Sequence, residues 1–235
     1  MIISMFLAHL VGDYVLQWDS LAKWKSEKVI GVLAHGMVVT AVTFLFVLPF
    51  EPFWWRGALF ISICHILIDL AQLPLSKRPV DGVVPLARFA ADQTLHAAII
   101  LVALFLGGFF EIGTFWTQIT NEIQSSPAMV YILGYTLLAM PAWVILEFTG
   151  YGLIQGTAPD FSRATNKYLS SLERWLITTS VVTGQFILIP VIAAPRFMIE
   201  RQAMIEKTES TIYLTKLLGS VGLAIGIGLA LKTIV

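Results

Sequence analysis

A single cysteine, Cys64, stands in 235 residues, which excludes an internal disulfide and a thiolate cluster around a metal. Charge is scarce as well: 13% of residues are Asp, Glu, Lys or Arg, and 15 basic residues balance 15 acidic ones. No basic surface is left to hold nucleic acid, and no acidic tail reads as a disordered arm. What fills the chain is apolar: 57% of residues are hydrophobic and the mean hydropathy is +0.80. That balance describes an integral membrane protein, not a soluble domain of the same length. Any metal chemistry has to use His, Asp and Glu.

A helix that crosses a bilayer needs roughly 20 mostly apolar residues. The pattern predicts an all-α polytopic membrane helix bundle of about seven transmembrane helices, near 2–18, 29–50, 57–75, 86–110, 128–147, 175–194 and 212–231. The first stretch lacks the basic leader and small-residue cleavage site of a signal peptide, so it is expected to be retained as a span. One set of alternate loops, with the chain end, holds ten of the Lys and Arg residues, among them Lys23, Lys25, Lys28, Lys77, Arg163, Lys167 and Arg174. The other set holds five, four of them (Arg196, Arg201, Lys207, Lys216) mixed with Glu200, Glu206 and Glu209. The positive-inside rule then puts the amino terminus outside and the carboxyl terminus in the cytoplasm. All four histidines fall before Glu111, which divides the chain into a four-helix unit, 1–110, carrying the chemistry and a supporting three-helix unit, 111–235.

Three of the histidines have an aspartate four residues away: His9 with Asp13 (HLVGD), His65 with Asp69 (HILID) and His96 with Asp92 (DQTLH). On a helix this spacing stacks the two side chains on one face, one turn apart. With six aspartates in the chain, three such pairs would arise by chance on the order of once in two thousand. The order reverses in the pair of the fourth span, which runs opposite to the first and third, so all three pairs point the same way in space. At roughly 1.5 Å per residue the aspartates lie near 9 Å and the paired histidines near 15 Å from the cytoplasmic ends, with His35 between the layers.

An ionisable side chain in mid-membrane costs at least about 2.5–3.5 kcal/mol and therefore faces the bundle interior, where it marks a site or a pathway. Imidazole and carboxylate donors suit zinc first, with iron or manganese as alternatives. The expected ligands are His9, Asp13, His35, His65, Asp69, Asp92 and His96; one ion or two fit the number of donors. An aspartate one turn from its histidine can also act only by orienting the ring. Gln17, one turn beyond Asp13, is a further candidate at the same mouth. The same residues could instead form a proton or metal-ion pathway, or hydrogen-bonded pairs that only hold helices together; three carboxylates fit a bis-histidine haem poorly.

The elements AHLVGDYVLQ, LAHG, CHILIDL and DQTLHA, in that order, resemble the bacterial integral-membrane family catalogued as domain of unknown function 3307. The stretch YLSSLERWLITTSVVTGQF is similar to the second half of its longer members, which tend to carry lysine where this sequence has Pro195. The resemblance implies a multi-pass protein of the bacterial inner membrane. More weakly, helix-borne His-x-x-x-Asp pairs look like those of zinc-dependent phospholipase C and P1-type nucleases and of membrane-bound metal-dependent hydrolases, which implies phosphoester hydrolysis.

The resulting expectation is a metal-dependent hydrolase acting on a lipid-linked or amphiphilic phosphoester near the cytoplasmic leaflet, with Asp69 and Asp92 as ligands or general base. The alternatives are a transporter and a scaffold subunit. No arginine lies within the four-helix site to bind phosphate; Arg78 and Arg88 near its mouth are the nearest candidates. Gly222 and Gly226 form a GxxxG in the last span that would suit packing or a homodimer. Glu147 is read as a solvated helix end, Gln185 as a polar contact within the sixth span and Cys64 as a packing residue.

Overall fold

The computed structural model describes residues 1–76, 78, 80–159, 161, 167–199 and 210–234. Lys77, Asp160, Arg163, Glu200, Arg201, Glu206, Lys207 and Glu209 lie outside the described residues. Among the described residues every regular element is helical: α1 (Ile2–Leu10), α2 (Asp19–Glu27), α3 (Val29–Val47), α4 (Trp55–Ser76), α5 (Val84–Leu106), α6 (Phe115–Ser125), α7 (Pro127–Leu138), α8 (Met140–Thr149), α9 (Lys167–Val182), α10 (Leu188–Ile199) and α11 (Ser210–Lys232). Five helical stretches are long and apolar enough to cross a membrane: Val29–Val47, Pro52–Ser76, Val84–Leu106, Pro127–Gln155 and Ser210–Lys232. The expected all-α membrane bundle is present; among the described residues five of the stretches reach full span length, and the first and sixth predicted spans take other, shorter forms.

The chain forms two compact units, residues 1–79 with 89–133, and residues 80–88 with 134–235. In the first unit, Ile2, Met5, Ala8, Val42, Ala58, Ile61, Ile100 and Leu104 form the buried core. The first apolar stretch is a short helix, Ile2–Val15, about 21 Å long. Its last turn, Val11–Val15, is a π-helix that carries Asp13. Such single π-turns re-aim a side chain by one extra residue per turn. Glu122 of α6 caps the start of α1, accepting from the amides of Ile2 and Ile3 at 3.0 Å each.

α2 is the polar helix between the first two membrane helices, and Leu21 is its one buried residue. It docks tightly where α3 begins: a Cβ on Gly31 would sit 2.2 Å from the Trp24 carbonyl oxygen. Ser76 at the end of α4 donates to the Ser26 carbonyl at 3.0 Å. These two ties fix α2 across the ends of α3 and α4. The clash at Gly31 is with backbone, which cannot rotate away, so Gly31→Ala is expected to lower stability by about 1–3 kcal/mol, measured as thermal unfolding in detergent. Unchanged stability would mean that α2 is not held by this contact.

In the second unit the sixth predicted span, 175–194, is two helices. Thr183 to Ile187 form a turn in which Gly184 adopts φ +76°, a conformation that favours glycine. α10 folds back along α9, so that Arg196 Nη1 reaches Glu173 Oε2 at 3.2 Å. Gln185 lies in the exposed turn and not within a span. α11 runs parallel to α9, with Thr178 Oγ1 donating to Ala224 O at 2.9 Å and Gly228 pressed against Val181.

Two buried polar anchors organise this unit. Arg174, fully buried, donates from Nε to Leu138 O at 2.6 Å and from Nη2 to Ala139 O at 2.8 Å. These carbonyls lie where α7 gives way to α8, beside Pro141, which has no N–H to offer the preceding turn. Glu147, expected as a solvated helix end, is buried and pairs with Lys216 at 2.5 Å; an ion pair of that kind is how a carboxylate is tolerated inside an apolar bundle.

Candidate metal centre

All seven expected ligands belong to the first unit, and four elements bring them together. The π-turn of α1 aims Asp13 at α3, where its Oδ1 lies 2.9 Å from His35 Nε2; its Oδ2 stays 4.0 Å from His9 Nε2. The extra residue of the π-turn therefore trades the expected His9 partner for His35. α4 supplies His65 and Asp69, with Nε2 to Oδ2 at 3.4 Å. His65 Nε2 also lies 3.3 Å from His35 Nε2 and 3.8 Å from Asp13 Oδ1. α5 supplies His96, whose Nε2 is 4.0 Å from Asp69 Oδ1 and whose ring centre is 4.3 Å from that of His65. His9, His35, His65, His96, Asp13 and Asp69 are all buried.

The close helix packing behind this convergence depends on small residues. A Cβ on Gly36, next to His35, would come within 2.3 Å of the Ile66 side chain, which sits next to His65. A Cβ on Gly12, next to Asp13, would come within 3.2 Å of Val39.

Hydrogen bonds assign the ring nitrogens. His96 Nδ1 lies 2.9 Å from the Asp92 carbonyl oxygen, which can only accept, so Nδ1 carries the proton. Its Nε2 is then a bare lone pair, buried and without a hydrogen-bond partner among the described residues. His9 is set the opposite way, because Nε2 faces Gln93 Oε1 at 3.3 Å and donates to it. Gln17 Nε2 lies 3.2 Å from His35 Nδ1 and donates to it, which leaves His35 Nε2 to donate to Asp13 Oδ1 at 2.9 Å; a metal ion bound there would replace that proton.

Asp92 is an orienting group in this arrangement. Its Oδ1 lies 3.1 Å from His96 Nδ1 and also accepts from Gln72 Nε2, while its Oδ2 accepts from Gln93 Nε2 at 3.0 Å. Gln93 also donates to Asp13 Oδ2 at 3.3 Å and so links two of the His–Asp pairs. Gln72 and Gln93 were not foreseen. A signal existed: each aspartate of the three pairs has a glutamine within four residues, Gln17, Gln72 and Gln93.

The other unforeseen residue is Lys25 of α2, counted above only as a loop charge. Its Nζ lies 2.9 Å from Asp69 Oδ2 and 3.6 Å from Asp13 Oδ1. Burial alone would lower the pKa of this ammonium, but the carboxylates of Asp13 and Asp69 outweigh it and hold the group above the usual lysine range.

Two donor groups could hold a metal ion, Asp13 with His35 and His65, and His65 with Asp69 and His96, each with ligand atoms within 4.8 Å of one another. Both offer two imidazoles and one carboxylate, a set that suits zinc, iron or manganese. The bare Nε2 of His96 is the kind of orphaned buried donor that a cation would satisfy. His9 and Asp92 fall outside both groups. A cavity beside His9, His65 and His96, continued by Met5, Val39 and Ile61, has about 10 Å³ open to the centre of a water molecule, which is room for one.

Apolar helices long enough to span a bilayer and a buried His/Asp cluster able to hold a metal ion define a polytopic membrane protein with a candidate metal centre. Residues 1–124 match the family described as protein of unknown function (DUF3307), and the chain belongs to that family. The matched segment contains every residue of the cluster. No curated protein and no solved structure matches the chain.

Proposed function

We propose that the protein is a metal-dependent hydrolase of the bacterial inner membrane, acting on a lipid-linked or amphiphilic phosphoester near the cytoplasmic leaflet. The observation that carries this reading is Lys25. No arginine stands among the seven cluster residues, and α2 delivers an ammonium to within 3.6 Å of both Asp13 and Asp69. A divalent ion at this place supplies a Lewis acid and an activated water. Asp13, His35, His65 and Asp69 are the residues to hold it, and Lys25 meets the anionic phosphoryl group. Asp92 and Gln93 fix the rings and the Asp13 carboxylate. Asp69 is better placed than Asp92 to take a proton, since both Asp92 oxygens are already engaged by His96, Gln72 and Gln93.

The test is phosphoester hydrolysis by the purified protein in proteoliposomes supplied with zinc, iron or manganese. Lys25→Ala is expected to lower kcat/KM by about 10²–10³, the usual loss of one electrostatic donor, and Asp69→Asn to abolish turnover. Proton or metal uptake into sealed vesicles, lost in Asp69→Asn, with no hydrolysis of any phospholipid, would show a transporter instead. The one polar group among the outer-side cavity residues, the Thr43 hydroxyl, already donates to Val39 O at 2.8 Å, which favours a dead-end site.

The α9–α10 reversal bears on orientation. It returns the chain to the side from which α9 starts, so α10 ends and α11 begins on the side that Lys167 and Arg174 mark as cytoplasmic. Thirteen of the 15 basic residues then lie on the cytoplasmic side, with Arg56 and Lys232 outside, a steeper asymmetry than seven simple crossings give. Both termini then face outside. In a Cys64→Ser background, Thr208→Cys is expected to be labelled only from the cytoplasm and Thr233→Cys only from outside; seven simple crossings require the reverse. A homodimer through the last helix is also proposed: among the described residues a Cβ on Gly222 or Gly226 would meet nothing within 4 Å, which suits packing against a second copy.

A further inference from the structure

We infer that the cluster holds one divalent ion, not two, and that this ion takes the place of Lys25 Nζ between Asp13 and Asp69. The inference rests on the metal-binding reading above and specifies it. The two donor groups share His65. The atom of His65 that faces both is Nε2, at 3.4 Å from Asp69 Oδ2 and 3.8 Å from Asp13 Oδ1, and one nitrogen lone pair serves one ion. The two groups therefore compete for one His65 nitrogen and do not hold two ions at once.

With bonds of about 2.0–2.2 Å, adjacent ligands on one ion sit about 2.8–3.6 Å apart, for angles between octahedral and tetrahedral. His35 Nε2 lies 2.9 Å from Asp13 Oδ1 and 3.3 Å from His65 Nε2, and His65 Nε2 lies 3.4 Å from Asp69 Oδ2, all within that range; His35 to Asp69 at 3.7 Å and His65 to Asp13 at 3.8 Å fall just beyond it. Four donors from three elements thus surround one point, and a small contraction brings all of them to ligand spacing. His96 approaches Asp69 through its other oxygen, Oδ1, at 4.0 Å, and His9 donates to Gln93, so neither closes a second shell.

Lys25 marks the same point from the charge side. Its Nζ is paired with one carboxylate of each donor group, Asp69 Oδ2 at 2.9 Å and Asp13 Oδ1 at 3.6 Å. The same two oxygens belong to the shell, so the ammonium and a metal ion compete for them. Lys25 stands on α2, outside the membrane helices, where an unbranched stem of four carbons lets the head group withdraw without moving α3 or α4. Displacement by the ion leaves a free ammonium at the mouth of the site.

The experiment is metal binding to the full-length protein in detergent, titrated with zinc and with manganese. One equivalent is expected at saturation, with Lys25→Met binding at least about tenfold more tightly than wild type and Lys23→Met, on the same helix, unchanged. In wild type, acetylation of Lys25 by an amine reagent, read by mass spectrometry, is expected to rise on adding metal; this arm needs no variant to fold, and Lys25→Gln replaces Lys25→Met should the latter be unstable. Two equivalents, or a Lys25→Met affinity equal to wild type with Lys25 labelling unmoved by metal, would overturn the single shared shell or the displacement while leaving a metal site in place. Absence of binding by both wild type and Lys25→Met would overturn the metal-binding reading itself.

Discussion

Replacing His65 with alanine is expected to lower metal affinity by more than about a hundredfold. Loss of an outer partner of a metal ligand typically costs 10–100-fold, and His65 is placed as a ligand, the member common to both donor groups. Its Nε2 faces His35, Asp69 and Asp13 within 3.8 Å, so its loss removes a donor from the middle of the cluster. His9→Ala is the matched control. It removes a buried imidazole of the same size from the same layer, but one whose Nε2 donates to Gln93, and its effect is expected to stay below about tenfold. Competition against a chromophoric chelator measures both, with His65→Gln standing in if the alanine variant does not fold. Equal losses for His9→Ala and His65→Ala would mean that the histidines contribute through packing alone.

The largest effect on stability is expected at Arg174. Its guanidinium serves Leu138 O, Ala139 O, Ser171 Oγ and Ser220 Oγ, and it is the main satisfier of the carbonyls freed at the α7–α8 break. Within an apolar bundle an unsatisfied backbone group costs several kcal/mol. Arg174→Met leaves Leu138 O bare and Ala139 O with only the long bond from Trp143 N at 3.4 Å, and is expected to cost about 3–5 kcal/mol, the usual penalty for removing one partner of a buried polar set. For a chain of this size that lowers the apparent Tm in detergent by on the order of 10 °C. Arg174→Lys is expected to recover only part of the loss, because one ammonium cannot replace a planar fork that reaches two successive carbonyls and two hydroxyls. A methionine variant as stable as wild type would mean that the break is satisfied by other groups.

The site was legible to the extent that it is local. The i, i+4 spacing of His9–Asp13, His65–Asp69 and Asp92–His96 follows from helix geometry alone and marked six residues that the fold gathers into one cluster with His35. Beyond one helical turn, pattern reading loses its basis. Lys25 reaches Asp69 across 44 positions of sequence because Gly31 lets α2 fold against α3, and a lysine in a predicted loop has the same composition signature whether it faces solvent or a carboxylate. The π-turn at Val11–Val15 leaves no mark in hydropathy, so the exchange of His9 for His35 as the partner of Asp13 was hidden. The helical hairpin was hidden for the same reason: 175–194 carries no charged residue, and the positive φ of Gly184 in its turn leaves no mark in hydropathy. Arg174 was read as a loop charge because its acceptors at Leu138 and Ala139 are 35 residues away and belong to backbone, which sequence does not display.

The most direct test of the metal centre is elemental analysis of the wild-type protein, purified in detergent without chelators and then offered zinc, iron and manganese in turn. Retention of a transition metal through gel filtration, at one equivalent per chain, is the predicted result. Protein that emerges free of metal under all three conditions, while folded and monodisperse, would contradict the account and leave the histidine–aspartate cluster as a proton path or as hydrogen-bonded helix contacts.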